Sequence, residues 1–136
     1  MVKIDIVYQG DLHTLATHGP SGMQLSTDAP KDNQGKGESF SPTDLVATAL
    51  GCCMLTIMGI LARRKNIALE NARVSVEKHM TTTGTRRIGK LQVRFDMPAG
   101  LAVEDRKMLE NAAFTCPVHK SLHPEIEIPV EFCYPD

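Results

Sequence analysis

The reactive side chains in this 136-residue chain are four cysteines, Cys52, Cys53, Cys116 and Cys133. A thiolate is a nucleophile, and whether it forms depends on surroundings that solvate the charge or offer it N–H donors. Cys53 falls within a long apolar run, LVATALGCCMLTIMGILA, and Cys116 directly precedes Pro117. Proline suits the first position of a helix, so Cys116 is expected beside unpaired backbone N–H groups that favour its thiolate. A cysteine in an apolar helix can equally be a small packing group, and residue type alone leaves both readings open for Cys53. Cys52 and Cys53 lie about 100° apart around a helix, so at most one points straight at a given partner. As neighbours they also make a poor disulfide framework.

His119 stands one helical turn after Cys116 and could in principle join Cys53 and Cys116 around a metal. Zinc needs three or four ligands and the sequence offers no fourth, so no metal and no cofactor is expected. His119 then reads as a partly exposed polar residue or as a group that tunes the Cys116 thiol.

These thiols need elements to position them. Residues 2 to 9 alternate, with Val2, Ile4, Ile6 and Tyr8 on one side, which predicts a half-buried strand. Glycine-rich punctuation at Gly10 and at 19–22 predicts two more short strands over 12–18 and 23–28, in an antiparallel meander. Residues 29–39 are polar and read as a surface loop. Ser41-Pro42-Thr43-Asp44 supplies a cap, a first-turn proline and a first-turn acid, and Arg63-Arg64-Lys65 suits the negative end of the long helix that follows. A hairpin is predicted with strands over 73–78 and 90–95, then an amphipathic helix over 101–114. A short helix from Pro117 to Leu122 comes next, then a last strand with Ile126, Ile128, Val130 and Phe132 inward and Cys133 outward. The order predicts an α+β fold with helices packed on antiparallel sheet, in one domain over 1–136.

Residues 45–62 are uncharged throughout, which meets the lower limit for a membrane span. Two threonines, two glycines and amphipathic strands on either side favour instead a helix buried in a water-soluble core. A helix apolar all round in so small a chain predicts that a second subunit covers one face. Fifteen Lys and Arg against sixteen Asp and Glu give a net charge of -1, which leaves no surplus to attract nucleic acid or an anionic membrane. Neither partner is expected. The N-terminus lacks the pattern of a secretory signal, and a reducing cytoplasm is the expected setting for the thiols.

The run SPTDLVATALGCC, followed by an amphipathic helix and FTCPVHKSL, resembles the OsmC/Ohr family of osmotically induced and organic hydroperoxide resistance proteins. The resemblance extends over nearly the whole chain. It implies an intertwined homodimer in which two long central helices are wrapped by sheets from both chains. It also implies thiol peroxidase activity on organic hydroperoxides, in oxidative stress defence. The family's spacing from the helix-start proline puts the attacking cysteine at Cys53 rather than Cys52, and the resolving cysteine before a proline is Cys116. A Cys53 sulfenic acid would condense with Cys116 to a disulfide, which an external dithiol, such as a lipoylated protein, would reduce. Cys52 becomes a packing neighbour and Cys133 an incidental thiol.

The chain departs from the family pattern at two positions. Peroxidatic members hold the thiolate with an arginine from the N-terminal strands, oriented by a glutamate right after the helix-start proline. Here that position is Thr43, and no arginine precedes Arg63. Glu38 or Asp44 could supply a carboxylate, and His13, His18 or Lys36 a cation. The absence of the usual pair leaves a second reading open, in which the fold serves a non-peroxidase redox or small-ligand-binding role.

Overall fold

Period-two alternation yields the predicted N-terminal strands in the computed structural model, which describes residues 1–135. The chain divides into two units, Met1–Val46 and the remainder from Ala47. In the first, β1 (Ile4–Gly10), β2 (His13–His18) and β3 (Gln24–Asp28) form an antiparallel sheet in that order. Gly10, Asp11 and Leu12 all take positive φ, between 53° and 89°, which turns β1 into β2. The register sets Ile6 beside Ala16 and Ala16 beside Leu25, so Ile4, Ile6, Tyr8 and Leu25 share one face. That face is exposed in the single chain, where Ile6 keeps 65% of its surface and Tyr8 63%. The half-buried strand expected from the alternation is therefore uncovered, because nothing within its own unit packs on it.

The helix α1 (Pro42–Lys65) starts and stops as its sequence dictates. Asp44 N–H donates to the Ser41 hydroxyl and Ser41 N–H donates to the Asp44 carboxylate, a reciprocal cap that satisfies two donors. At the other end Asn66 takes a left-handed φ of 55°, and Ile67 N–H closes onto the Ala62 carbonyl. Beyond the first turn, α1 buries one stripe, Ala47, Leu50, Gly51, Met54, Met58 and Ala62, at helical spacing. Cys52, Thr56 and Ile60 on other faces remain exposed. The helix is long and apolar enough to cross a membrane, with 33% of its apolar window buried inside this chain.

In the second unit β4 (Arg73–Met80) and β5 (Ile88–Asp96) form the predicted hairpin. The helices α2 (Val103–Ala113) and α3 (Pro117–Ser121) then lead to β6 (Val130–Cys133). The last strand pairs with β5 in parallel, which corrects the expectation of wholly antiparallel sheets. The two-helix crossover returns the chain to the starting end of β5, so β6 can only run alongside it in the same sense. The ladder continues beyond β6 through Leu91 N–H to the Glu127 carbonyl and Glu127 N–H to the Gly89 carbonyl. Pro129 offers only its carbonyl, taken by Val93 N–H, and leaves the strand shorter than its alternation suggests.

Leu50, Met54 and Met58 of α1 are fully buried, as are Leu91, Val93 and Phe95 of β5 and Leu109 of α2. Each such side chain contributes roughly 1.5–3 kcal/mol. Phe95 stacks on Phe132 of β6 with ring centroids 4.9 Å apart. Gly51 sets how closely α1 approaches the sheet, since a Cβ there would lie 3.0 Å from Val76 Cγ2 and 3.5 Å from Val74 Cγ1. A larger side chain must force the helix that carries Cys53 away from β4. Gly51→Leu is therefore expected to lower stability by about 1–3 kcal/mol through overpacking, which urea titration would read as a lower midpoint. An unchanged midpoint would mean that the helix and strand can separate without loss.

Candidate active site

The two cysteines singled out by sequence come together. Cys53 lies on α1 and is half-buried, and Cys116 caps α3 and is fully buried. The two side chains are near enough for Cys53 to influence the Cys116 thiol. No disulfide joins them, and all four cysteines are free thiols.

Local structure explains where Cys116 sits. Helix α2 ends at Ala113, and Thr115 N–H and Cys116 N–H turn back onto the Ala112 and Ala113 carbonyls. Pro117 then starts α3 with its φ already set, and His119 N–H donates to Cys116 Sγ at 3.3 Å. Phe114, just before this turn, lies edge-on to His119 and to Phe132, with centroids 6.0 and 6.2 Å apart. Aromatic contacts of this kind fix the turn against β6.

The helix start was expected to favour a Cys116 thiolate, and the balance goes the other way. Burial pushes the Cys116 thiol up, and the neighbouring Cys53 thiol pushes in the same direction. The N–H groups of His119 and Val118 act as anticipated, by lowering it, but they are outweighed.

The other thiols are placed differently. Cys52 is exposed and lines an open groove of about 820 Å³ along α1 with Leu55, Thr56, Gly59, Arg63 and Leu69. Cys133 ends β6, where its S–H donates to the Glu131 carboxylate at 3.4 Å, and burial followed by that carboxylate pushes its pKa up. His119 contributes its backbone N–H to the pair. Among the described residues no group of three or more His, Cys, Asp or Glu is arranged to hold a metal ion.

The groups considered as stand-ins for the family's arginine and glutamate divide within the first unit. His13 Nδ1 lies 2.5 Å from Asp28 Oδ1, and Asp28 Oδ2 accepts the N–H of Glu38 at 3.1 Å. Lys36 and Glu38 line a cavity of about 290 Å³ with Gln9, His13 and Asp28. His18 pairs with Ser21, and Asp44 is committed to the cap of α1. Asp28 is the residue that sequence reasoning missed. It is 6% exposed, and the register that sets it directly opposite His13 is the signal that could have found it.

Two nearby thiols, one buried at a helix start and one on a long apolar helix, on an α+β frame of two three-stranded sheets, define a class of cysteine-pair proteins. A family model described as OsmC-like protein matches residues 35–131, and the chain belongs to that family. A candidate osmotic stress induced and detoxification response protein from Psychrobacter arcticus is 44% identical, with a TM-score of 0.92 over 98% of this chain and 96% of that one. An organic hydroperoxide resistance protein OsmC from Legionella pneumophila is 17% identical, with a TM-score of 0.74 over 97% and 96%. An OsmC-like protein from Mycoplasma pneumoniae is 18% identical, with a TM-score of 0.82 over 98% and 96%. The last two share the fold. No curated protein matches the chain.

The hydrogen bond to His13 holds the Asp28 carboxyl below its ordinary value of 3.8, with the Glu38 N–H adding to it against burial. Its folded-state pKa is depressed, so the stabilisation is present above pH 3.8 and is lost as pH falls through the lower folded value. Asp28→Asn is expected to lower thermal stability at neutral pH and to flatten the acid limb of the profile. Parallel melting curves at pH 7 and pH 3 would check this, and equal loss at both values would reject it.

Proposed function

We propose that this protein is a thiol-dependent peroxidase for organic hydroperoxides, acting as a homodimer of single OsmC-like domains in a reducing, cytoplasmic setting. The observation that carries the reading is that Cys53 and Cys116, thiols from distant parts of the chain, lie near enough for one to influence the other.

In this reading the Cys53 thiolate attacks the distal oxygen of the hydroperoxide. An S–O bond forms and the O–O bond breaks, the alkoxide leaves with the electron pair, and protonation releases it as an alcohol. Cys53, oxidised by two electrons, becomes a sulfenic acid. Cys116 sulfur then attacks the sulfenic sulfur, an S–S bond forms, and the oxygen departs as water with the Cys116 proton. An external dithiol, such as a lipoylated protein, reduces the disulfide by exchange and is itself oxidised. The half-buried position of Cys53 suits a hydroperoxide with an apolar substituent better than hydrogen peroxide.

The homodimer is supported by apolar surface that the single chain leaves open. Ile4, Ile6, Tyr8 and Leu25 form one exposed face of the first sheet, and Ile60 lies on an uncovered side of α1. An intertwined arrangement, with two long helices central and sheets wrapped around them, would bury both. A second reading, a non-peroxidase redox or small-ligand-binding protein on the same fold, is favoured by one observation: no arginine precedes Arg63. Oxidation by an organic hydroperoxide no faster than that of free cysteine would select it.

Cys53→Ser is expected to cut dithiol-dependent hydroperoxide turnover by at least about 100-fold, since a hydroxyl is a far weaker nucleophile at neutral pH. Cys116→Ser should still undergo one oxidation, seen as a one-oxygen mass increase trapped by a sulfenic-acid reagent. Unchanged turnover in Cys53→Ser would reject the assignment. For the dimer, equilibrium sedimentation should give twice the chain mass, and Ile4→Lys combined with Ile6→Lys should shift it to the monomer.

A further inference from the structure

We propose that the uncovered face of α1 seats the same helix of a second copy, antiparallel and crossing at Cys52, so that an oxidant joins the two Cys52 thiols in a disulfide between subunits. This rests on the homodimer of the reading above and adds to it a register and a redox-sensitive cross-link. The peroxidase chemistry does not enter, since neither Cys53 nor Cys116 takes part.

Helix α1 buries Ala47, Leu50, Met54, Met58 and Ala62 within the chain. At about 100° per residue, Leu45, Ala49, Cys52, Thr56, Gly59 and Arg63 fall on the other side. Ala49, Cys52 and Thr56 are exposed there. A helix face that stays in water normally carries charge, as Glu104 and Lys107 do on α2, whereas this one carries none before Arg63. A Cβ on Gly59 would meet nothing within 4 Å, in contrast to one on Gly51. Glycine weakens a helix interior relative to alanine, so a glycine where the chain itself leaves room points to a group that fills the space from outside.

A two-fold axis through the crossing of two antiparallel helices sets positions equally far before and after the crossing against each other. The midpoint of α1 falls between Cys53 and Met54, and Cys52 is the exposed residue nearest to it. A crossing at Cys52 sets Leu45 against Gly59, Ala49 against Leu55 and Thr48 against Thr56. Each leucine thus meets a small residue. The basic end of one helix, Arg63 and Arg64, comes to the first turn of the other, where Asp44 lies. A crossing one turn later, at Thr56, would set Arg63 against Ala49 and carry Asp44 past the end of the partner helix.

Helix axes about 8–10 Å apart, with Cα atoms about 2.3 Å from each axis, leave directly facing Cα atoms roughly 3.4–5.4 Å apart, which overlaps the span of about 4.4–6.8 Å that a disulfide bridges. Oxidation breaks two S–H bonds and forms one S–S bond. The two electrons and two protons pass to a hydroperoxide, which leaves as an alcohol and water.

The test is oxidation of the reduced protein by copper–phenanthroline, read on a non-reducing denaturing gel. Most of the protein is expected at twice the chain mass, and Cys52→Ser is expected to give at least about tenfold less of that band, while Cys53→Ser and Cys133→Ser keep it. A second measurement reads the register. In the Cys52→Ser background, Thr48→Cys combined with Thr56→Cys should restore the band, whereas Thr56→Cys alone should not. Those two positions lie two turns, about 12 Å, apart on one helix, so a disulfide joining them must link two copies. A protein that sediments as a dimer yet gives neither band would overturn the proposal and leave the homodimer standing. A monomer in sedimentation would overturn both. A band that survives Cys52→Ser undiminished would also overturn the proposal, because another thiol would then form the link.

Discussion

The constraint on which the site depends is the burial of one sulfur against another. Two backbone N–H groups at the start of α3 pull the Cys116 thiol toward ionisation, and desolvation together with Cys53 pulls it back. Burial wins, and this sets an order of events for the proposed chemistry. The pressure that Cys53 exerts on Cys116 comes from a sulfur able to carry negative charge. Once the Cys53 sulfur bears an oxygen in the proposed reaction, that oxygen can take up the Cys116 proton. In the proposed reaction, oxidation of Cys53 thereby removes part of what holds Cys116 back, so that a buried thiol in the resolving role would be protected until it is needed.

This arrangement places demands on the frame. Helix α1, which carries Cys53, approaches β4 at Gly51, and the turn before Cys116 meets β6 through Phe114; both strands pair with β5, whose Leu91, Val93 and Phe95 are fully buried. On one side Gly51 lets α1 settle onto Val74 and Val76, and Cys53 lies two residues further along the same helix. On the other, the stack of Phe95 on Phe132 and the edge contact of Phe132 with Phe114 tie the turn before Cys116 to the sheet. Interiors are close-packed, so displacement at one contact is transmitted rather than absorbed.

What could be read from the sequence was what is encoded locally. The ends of α1 follow from Ser41-Pro42 and Arg63-Arg64-Lys65, and α3 follows from the proline after Cys116. The β4–β5 hairpin follows from alternation. The direction of β6 was not legible, because alternation fixes which face a residue takes and says nothing about the sense in which a neighbouring strand runs. The balance at Cys116 was half legible: the donors at a helix start can be read from spacing, whereas depth of burial is set by the elements that pack above it. Asp28 was hidden for a similar reason, since its partner His13 is fifteen positions away and only the strand register brings the two together.

The missing guanidinium bears on the proposed attack through two opposed effects. For any thiol titrating above the working pH, raising its pKa by one unit reduces the thiolate fraction about tenfold. Intrinsic nucleophilicity rises with basicity, with a coefficient of roughly 0.4–0.5, so each remaining thiolate reacts about threefold faster. The net loss in attack rate is therefore only about three- to fourfold per unit. A guanidinium does more than ionise a thiol, because it also donates to the peroxide oxygen on which charge develops. That second contribution is one that ionising the thiol by other means cannot replace. The largest consequence of the missing guanidinium for the proposed attack is thus expected at the breaking O–O bond.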